Sequence, residues 1–597
     1  MRQALESRFT SFDGQSLFYR HWQATSAPPA CRAILLLHRG HEHSGRLQHV
    51  VDELGMPDTP MFAWDARGHG RNDGPRGFSP SIGTTIRDLD EFVGHLQREH
   101  GVQLEELVVI AQSVGAVLAA AWAHDYAPRL RALVLASPAF QVKLYVPFAR
   151  PSLRLMHKLR GNFFVNSYVK AKFLTHDPAR IASYNSDPLI TRPISANILL
   201  ALYDTAERII ADAGAITVPT QLLISGADFV VHKAAQETFF QNLGSACKER
   251  HELPGFYHDT LGERDRTLAF DKIRTFIQRV EAGVNIPSLL AADQLGYTAD
   301  EFKQLQHTLP ALSPKRWHFA LTRLMLNTLG RLSDGIRLGC QTGFDSGSTL
   351  DYVYRNQACG ITPLGRLADR IYLDSIGWRG IRQRKLHLQE LICQAMAQLE
   401  QAGMPLRLVD IAAGHGRYVL DALAEHSSKL EHLQLRDYSD INVTAGRKLI
   451  AGRGLQDKAR FDQGDAFDGA ELAALQPRPT LAIVSGLYEL FPGNAGIRDS
   501  LAGLAAAVPP GGYLIYTNQP WHPQLEMIAR TLSSHRGGKD WVMRRRTQQE
   551  MDQLVAEAGF TKISQRIDEW GIFSVAIARR LPTAQNQPQP LQAQATA

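Results

Sequence analysis

The chain has few cysteines and places them in no pattern. Cys31, Cys247, Cys340, Cys359 and Cys393 form no CxxC pair and keep no company of histidines. A disulfide framework and a zinc site are therefore not expected, no metal is assigned, and a reducing cytoplasm suits the composition. Long apolar runs are also missing. No stretch is long and charge-free enough to span a bilayer. The opening residues, MRQALESRFTSFDGQ, carry no apolar core of a signal peptide. Between Ala139 and His176 acidic residues are absent altogether, although Lys143, Arg150, Arg154, Lys158, Arg160, Lys170 and Lys172 stand there among Phe, Tyr, Leu and Val. The rest is ordinary: 597 residues, 44% hydrophobic, 21% charged, net charge +6. That length exceeds what one core supports, and about two to four domains are expected.

What is present is organised around Leu107 to His124, LVVIAQSVGAVLAAAWAH. An apolar run ends in Gln112-Ser113-Val114-Gly115, and an Ala-rich run that favours helix follows. A strand turning sharply into a helix with serine at the corner is the layout of a nucleophile elbow. The turn crowds its neighbours, so small residues must flank it. Gly115 meets that need, and Ala111 stands where glycine is usual. The helix N-terminus favours developing negative charge on an oxygen.

Around this stretch strands and helices alternate. Ser7 to Trp22 reads as a hairpin turning at Asp13-Gly14. AILLLH runs into the loop His38-Arg39-Gly40-His41-Glu42-His43-Ser44-Gly45-Arg46. MFAWDARGHGRNDGP repeats the strand-then-Gly-loop form, Thr84 to His100 reads as a helix, and ALVLASP is a further strand. The alternation predicts an α/β fold with a mostly parallel sheet.

HRGHEHSGR, WDARGHGRNDG and AQSVG, in that order and at these separations, resemble the monoacylglycerol lipase-like branch of the α/β-hydrolases. The resemblance implies a catalytic triad in the order Ser113, Asp228, His258, the last two following the strand-like segments QLLIS and HELPG. It implies an oxyanion hole from the backbone N–H groups of Gly40 and Val114. Arg39 departs from the pattern, replacing a small residue. Its guanidinium either closes part of the pocket or pairs with an anionic substrate group. The basic, acid-free stretch falls where such a fold carries its lid, about residues 139–205. Basic plus aromatic-apolar composition suits contact with anionic lipid, and a lid closed over its own acyl pocket with a solvated basic face is the competing account. No nucleic-acid partner is expected. The hydrolase domain is placed at residues 1–281.

Residues 282–405 read as a helical bridge and an N-terminal extension of the next domain. Within it Lys315 to Arg337 gathers Trp317, Leu321, Leu324 and Met325 near one face, as a second interfacial helix or as one packed on the next domain.

LRLVDIAAGHGRYVLDAL is an apolar strand, a Gly-x-Gly turn and a helix, with Asp437 closing a second strand about twenty residues on. Val419 stands where a dinucleotide fingerprint needs glycine. The stretch from Leu406 to Arg580 resembles the class I S-adenosylmethionine-dependent methyltransferases, with their Rossmann-like fold. The resemblance implies S-adenosyl-L-methionine as cofactor, held by Asp410, Ala412, Gly414, Gly416, Asp437, Asp465, Ala466, Ser485 and Gly486. Tyr488, Glu489 and His522 are candidates for the methyl-acceptor side, against a purely structural role in hydrogen bonding. The Pro/Gln/Ala tail, 581–597, reads as disordered.

The whole resembles bacterial fusions of these two enzymes. The expected function is hydrolysis of acyl esters, of monoacylglycerol or lysophospholipid type, joined to methyl transfer in lipid metabolism. The setting is cytoplasmic, with peripheral contact to the inner membrane face left open. Esterase and methyltransferase chemistry on small molecules of secondary metabolism, or a scaffold with one inactive half, are the alternatives. The oligomeric state is left open.

Overall fold

The computed structural model describes residues 2–25, 32–146, 148–167, 169–281, 286–424 and 426–582. The expected disordered tail lies outside the described residues from 583 onward. The chain divides into two compact units, Met1–Pro287 and Ser288–Ala597.

The first unit is built on strands β1 (Leu5–Thr10), β2 (Ser16–Trp22), β3 (Ala33–Leu37), β4 (Met61–Trp64), β5 (Leu107–Gln112), β6 (Ala132–Ala136), β7 (Phe164–Asn166), β8 (Pro193–Ser195), β9 (Thr220–Ser225) and β10 (Lys248–Leu253). Eight of them form one sheet in the order β1-β2-β4-β3-β5-β6-β9-β10. The hairpin β1/β2 and the β2/β4 pair are antiparallel, and every later pair is parallel. Strands β3 to β6 and β9 are buried along their whole length. That is why β3 to β6 read as apolar runs instead of alternations, helices covering both faces, while β9 buries the polar Thr220, Gln221 and Ser225 as well. On one face Phe270, Ile273, Phe276 and Ile277 of helix Thr267–Glu281 join Ile34, Leu36, Val108, Ile110 and Val134 in one core. Helix Val114–Tyr126 packs across β3, β5 and β6. The expected helix begins slightly earlier than Thr84, at Ile82, because the Ser81 hydroxyl caps it by accepting from the Thr84 N–H.

Between β6 and β9 the chain leaves the sheet. It forms helix Ala149–Arg160, the antiparallel ribbon β7/β8, helix Pro178–Ser186 and helix Ala196–Ala211. The first of these helices has no buried residue. Arg150 and Arg154 tether it to Asp204 of the last. Phe148, just before the first helix, and Leu159 within it remain uncovered, 81% and 75% exposed.

The second unit holds β11 (Leu406–Asp410), β12 (Leu430–Asp437), β13 (Ala459–Gln463), β14 (Leu481–Val484), β15 (Tyr513–Asn518), β16 (Phe560–Ile567) and β17 (Ser574–Arg580). Their order is β13-β12-β11-β14-β15-β17-β16, with β17 antiparallel to both neighbours. From Ser288 on, the segment read as a bridge belongs to this unit. Its long helix Ile376–Gln401 buries Leu388, Leu391, Ile392, Ala395 and Leu399, at helical spacing, against Leu408, Leu433, Ile483 and Ile577. Helix Pro314–Asn327 turns Phe319, Thr322, Arg323 and Leu326, at helical spacing, to a half-buried face. None of its residues is buried, and Trp317, Leu321, Leu324 and Met325 are all exposed.

Candidate active sites

Ser113 is the single residue between β5 and helix Val114–Tyr126, and its backbone is strained at φ 56°, ψ −116°. Such a conformation costs about 1–3 kcal/mol in a non-glycine residue and persists only where its surroundings hold it. Here the Ser113 N–H donates to Ala136 O (3.0 Å), and its carbonyl accepts from Ala116, Val117 and Ala139. Gly115 is required beside it. A Cβ there would lie 2.5 Å from the carbonyl oxygen of His38.

The turn aims Ser113 Oγ at His258 Nε2, 2.7 Å away. His258 Nδ1 lies 2.8 Å from Asp228 Oδ2, which can only accept, so Nδ1 carries the proton and Nε2 accepts from the serine hydroxyl. Asp228 follows β9 and His258 follows β10, which brings both to the sheet edge where Ser113 stands. All three are buried. Burial alone would raise the Asp228 pKa. The adjacent His258 and the N–H groups of Val230 and Val231 outweigh it and hold the carboxyl below its ordinary value. Gly40 and Val114 lie side by side, a Cβ on the former standing 3.0 Å from Val114 Cγ2. Among the described residues no acceptor takes a hydrogen bond from either N–H.

Arg39 is buried inside an ion network. Its guanidinium donates to Glu42 at 2.8 Å, lies 3.7 Å from Asp259, and sits 5.5 Å from the centre of the Tyr184 ring. Glu42 also accepts from Arg46 (2.7 Å), and Asp259 pairs with Arg180 (3.0 Å). An anionic substrate group would compete with two carboxylates already in place, so the structure gives no support to the anion-pairing option for Arg39. Burial would raise the Glu42 pKa, but Arg39 and Arg46 hold it down at about 2. His41 was passed over in the sequence. It stands in the left-handed region at φ 69°. It is pinned from both sides by Thr191, whose N–H donates to the His41 carbonyl (2.9 Å) and whose carbonyl accepts from His41 Nδ1 (2.5 Å).

In the second unit β11 ends at Asp410, and the loop to the next helix turns through Gly414 (φ 57°) and Gly416 (φ 74°). A Cβ on Gly416 would meet Leu435 Cδ1 at 2.4 Å. Asp410 is fully buried. Its oxygens accept from Tyr418 OH and from the Ala412 N–H, and no ion pair reaches it among the described residues. Burial pushes its carboxyl up to about 7, with the Asp437 charge adding to the effect against the two hydrogen bonds. A buried carboxyl with hydrogen bonds but no counter-charge fits a cationic group, as a sulfonium or ammonium would supply. Asp437, at the end of β12, accepts from the Gly414 and Ser439 N–H groups (2.9 Å each). Asp465 is exposed beyond β13, next to buried Ala466. Ser485 and Gly486 follow β14, and the Gly486 N–H donates to Thr517 Oγ1 at 2.8 Å.

A cavity of about 260 Å³ adjoins this edge. Gly486, Glu489 and His522 line it, with Arg384 of the long helix. Tyr488 does not. Its ring is buried in the core with Ile497 and Leu501, and its hydroxyl donates to Ser500 Oγ (2.8 Å). The residues grouped for the acceptor side therefore divide: Glu489 and His522 reach the cavity, and Tyr488 supports the core. Arg544, Arg545 and Arg546, which the sequence left unremarked, are all buried. Arg544 and Arg546 donate to carbonyls of Pro492, Tyr488, Phe491 and Gly493 and so fix the loop carrying Glu489.

The two units thus define a chain that joins an α/β-hydrolase domain to a methyltransferase domain. Residues 28–265 match the family model described as "Serine aminopeptidase, S33", and residues 273–580 match the one described as "Putative methyltransferase". The second match spans more than half of the chain, which belongs to that methyltransferase family and carries the hydrolase domain ahead of it. The chain is 61% identical over 576 residues to "Uncharacterized protein YnbC" of Escherichia coli K12, covering 96% of this chain and 98% of that protein. Monoacylglycerol lipase of Mycolicibacterium smegmatis is 26% identical over 280 residues, 46% of this chain and 96% of its own. Human monoglyceride lipase is 26% identical over 250 residues, 41% and 80%.

Proposed function

We propose that the chain is a bifunctional enzyme: a serine hydrolase of monoacylglycerol- or lysophospholipid-like acyl esters, and an S-adenosyl-L-methionine-dependent methyltransferase of lipid metabolism. The observation that carries the first activity is the hydrogen-bonded line from Ser113 Oγ through His258 to Asp228, at 2.7 and 2.8 Å, on a strained elbow. Ser113 attacks the ester carbonyl. His258 takes its proton and returns it to the leaving alcohol, while Asp228 keeps the imidazole in the working tautomer. The N–H groups of Gly40 and Val114 receive the negative oxygen. An apolar cavity beside them, lined by Phe78, Leu118, Ile198 and Leu202, suits an apolar ester, as do the lipases among the relatives. The exposed apolar and basic lid helix supports peripheral contact with anionic membrane from the cytoplasmic side.

For the second activity Asp410, Ala412, Gly414, Gly416, Asp437, Asp465, Ala466, Ser485 and Gly486 hold the cofactor. When bound, S-adenosyl-L-methionine supplies an electrophilic methyl group. The chain's part is to neutralise and orient the donor through Asp410, anchor its ribose at Asp437, and exclude water from the buried edge.

The test incubates the full chain with a monoacylglycerol and lysophospholipid panel, with and without S-adenosyl-L-methionine, and follows products by mass spectrometry. Fatty-acid release should vanish in Ser113→Ala and persist in Asp410→Ala. A methyl-sized mass gain should vanish in Asp410→Ala and persist in Ser113→Ala. Turnover of short soluble esters alone, with no lipid hydrolysed, would reject the lipid reading.

A further inference from the structure

The cavity in the second unit has a chemistry of its own. Its wall is largely apolar, with Trp378, Ile381, Leu532, Met543 and Phe573 among the lining residues. At about 260 Å³ it is well above the ~150 Å³ at which an apolar cavity takes up a single benzene ring. Gly486 lies just past β14, and Gln519 and His522 just past β15. The cavity therefore opens at the carboxyl ends of the strands that also carry Asp410, where ligands of open α/β sheets sit.

Among the described residues, several buried polar atoms of that wall have no hydrogen-bond partner, Gln519 Nε2 and Trp541 Nε1 among them, and with them stand a carboxylate and an imidazole, Glu489 and His522. Glu489 accepts from Thr517 Oγ1 through Oε1 (2.6 Å), while its Oε2 has no hydrogen-bond partner. Arg384, buried in the same wall, stands 3.8 Å from Glu489, so the carboxylate is matched by one cation. His522 Nδ1 accepts from the Gln524 N–H (3.0 Å), which leaves the proton on Nε2. That nitrogen faces Gly377, where a Cβ would stand only 3.1 Å away, and both residues line the cavity. One wall thus offers a carboxylate acceptor and a neutral N–H donor. Arg384 offsets Glu489, and Asp345, a second carboxylate of the wall, is held by the Ser534 hydroxyl (2.6 Å), the His535 N–H (2.6 Å) and the His535 ring (3.1 Å). An anionic ligand group therefore meets two carboxylates against one guanidinium, a cationic one meets the guanidinium, and both lose their hydration. A neutral hydroxyl meets neither penalty and satisfies both groups.

We infer that this cavity binds the methyl acceptor, and that the acceptor is a neutral, largely apolar alcohol or phenol larger than one ring, whose hydroxyl is donated to Glu489. The inference rests on the methyltransferase reading of the unit. In the transfer the hydroxyl oxygen forms the new bond to the methyl carbon of the sulfonium donor, the electron pair of the broken C–S bond stays on sulfur, and the hydroxyl proton passes to Glu489 Oε2. Glu489 is then a catalytic base, and His522 orients the oxygen.

The test titrates the full chain with 2-naphthol and decan-1-ol, and with 2-naphthoate and decanoate as carboxylate counterparts, following tryptophan fluorescence and heat. Binding of S-adenosyl-L-methionine is measured separately. At least one alcohol should bind, at least tenfold more tightly than its carboxylate. Glu489→Leu should erase that preference, and Gly377→Ala should weaken alcohol binding by crowding His522. Glu489→Gln should keep alcohol binding within threefold while methyl-ether formation falls at least ~100-fold, the scale of a lost general base. A carboxylate binding as tightly as its alcohol, a preference that survives Glu489→Leu, or no alcohol bound by protein that binds the cofactor would each overturn the inference. Loss of cofactor binding in the wild-type chain would instead overturn the methyltransferase reading beneath it.

Discussion

Gln112 donates from Nε2 both to the carbonyl oxygen of His258 and to Asp259 Oδ1, 3.1 Å in each case. The residue before the nucleophile thus holds the loop that carries the base. Truncation at Gln112 leaves Ser113 on its elbow but frees the backbone of His258. Gln112→Ala should lower kcat of ester hydrolysis about 10–100-fold, since small misplacements of a catalytic group cost this much. KM should change little. Steady-state kinetics on one soluble ester check this, and an unchanged kcat would remove the tether from the mechanism.

Glu42 joins Arg39 to Arg46 in the interior of the first unit. Glu42→Gln leaves two buried guanidinium groups short of their counter-charge and should destabilise the unit by about 3–5 kcal/mol. The same carboxylate predicts acid behaviour. Its folded pKa is depressed to about 2 from 4.5, so its stabilisation is complete above the unfolded value and is lost as pH falls from about 4.5 toward 2. Differential scanning calorimetry from pH 6 to pH 3 should show the first unit's transition falling in the wild type, and falling less steeply in Glu42→Gln.

Asp410 works in the other direction. Its folded pKa is raised to about 7 from 3.8, so the folded state binds more protons and the second unit loses stability as pH climbs from about 4 to 7, by about 4 kcal/mol in full. Asp410→Asn should raise the melting temperature of the cofactor-free unit at pH 8 while abolishing cofactor binding. In the wild type, cofactor binding near pH 6.5 should release a proton. Calorimetry in two buffers of different ionisation enthalpy reads that proton directly, and buffer-independent heat would count against a charge pairing at Asp410.

The lid helix Ala149–Arg160 keeps Leu155, Met156 and Leu159 exposed beside Lys158 and Arg160. Replacing Phe148, Leu155 and Leu159 together by serine should lower binding to anionic vesicles at least tenfold in flotation. Hydrolysis of a soluble short-chain ester should stay within twofold. Equal vesicle binding by both proteins would reduce the patch to an inert surface.

What the sequence revealed depended on how local the signal was. The apolar runs that became β3, β5 and β6 announced a mostly parallel sheet, and Gly115 beside Ser113 announced the elbow. Asp228 and His258 were found because motif order said where to look. Of the partners of Arg39, Glu42 stands three residues on in the same loop, but Asp259 is brought beside it only by the fold. The conformation of His41 was missed because nothing in its neighbours signals a positive φ, which Thr191 stabilises from far along the chain. Three successive arginines, 544–546, carry the composition of a wet basic surface. They are buried because loop carbonyls and Glu550 surround them. Tyr488 sits next to Glu489, yet the two side chains have different surroundings, a distinction set by the turn of the short helix Tyr488–Leu490.

Helix Pro314–Asn327 contributes Thr322 and Leu326 to the cavity wall and buries none of its residues. Swinging it outward therefore uncovers little apolar surface. It breaks a few polar ties, such as Arg323 to Asp540 at 2.7 Å and Arg323 to the Arg530 carbonyl at 2.8 Å. Local opening should be far easier there than in helix Ile376–Gln401, whose inner face is locked into the core. Backbone amides of 314–327 should exchange with solvent deuterium long before those of 376–401, and a molecule in the cavity should leave on the timescale of that single-helix opening, without waiting for the domain to unfold.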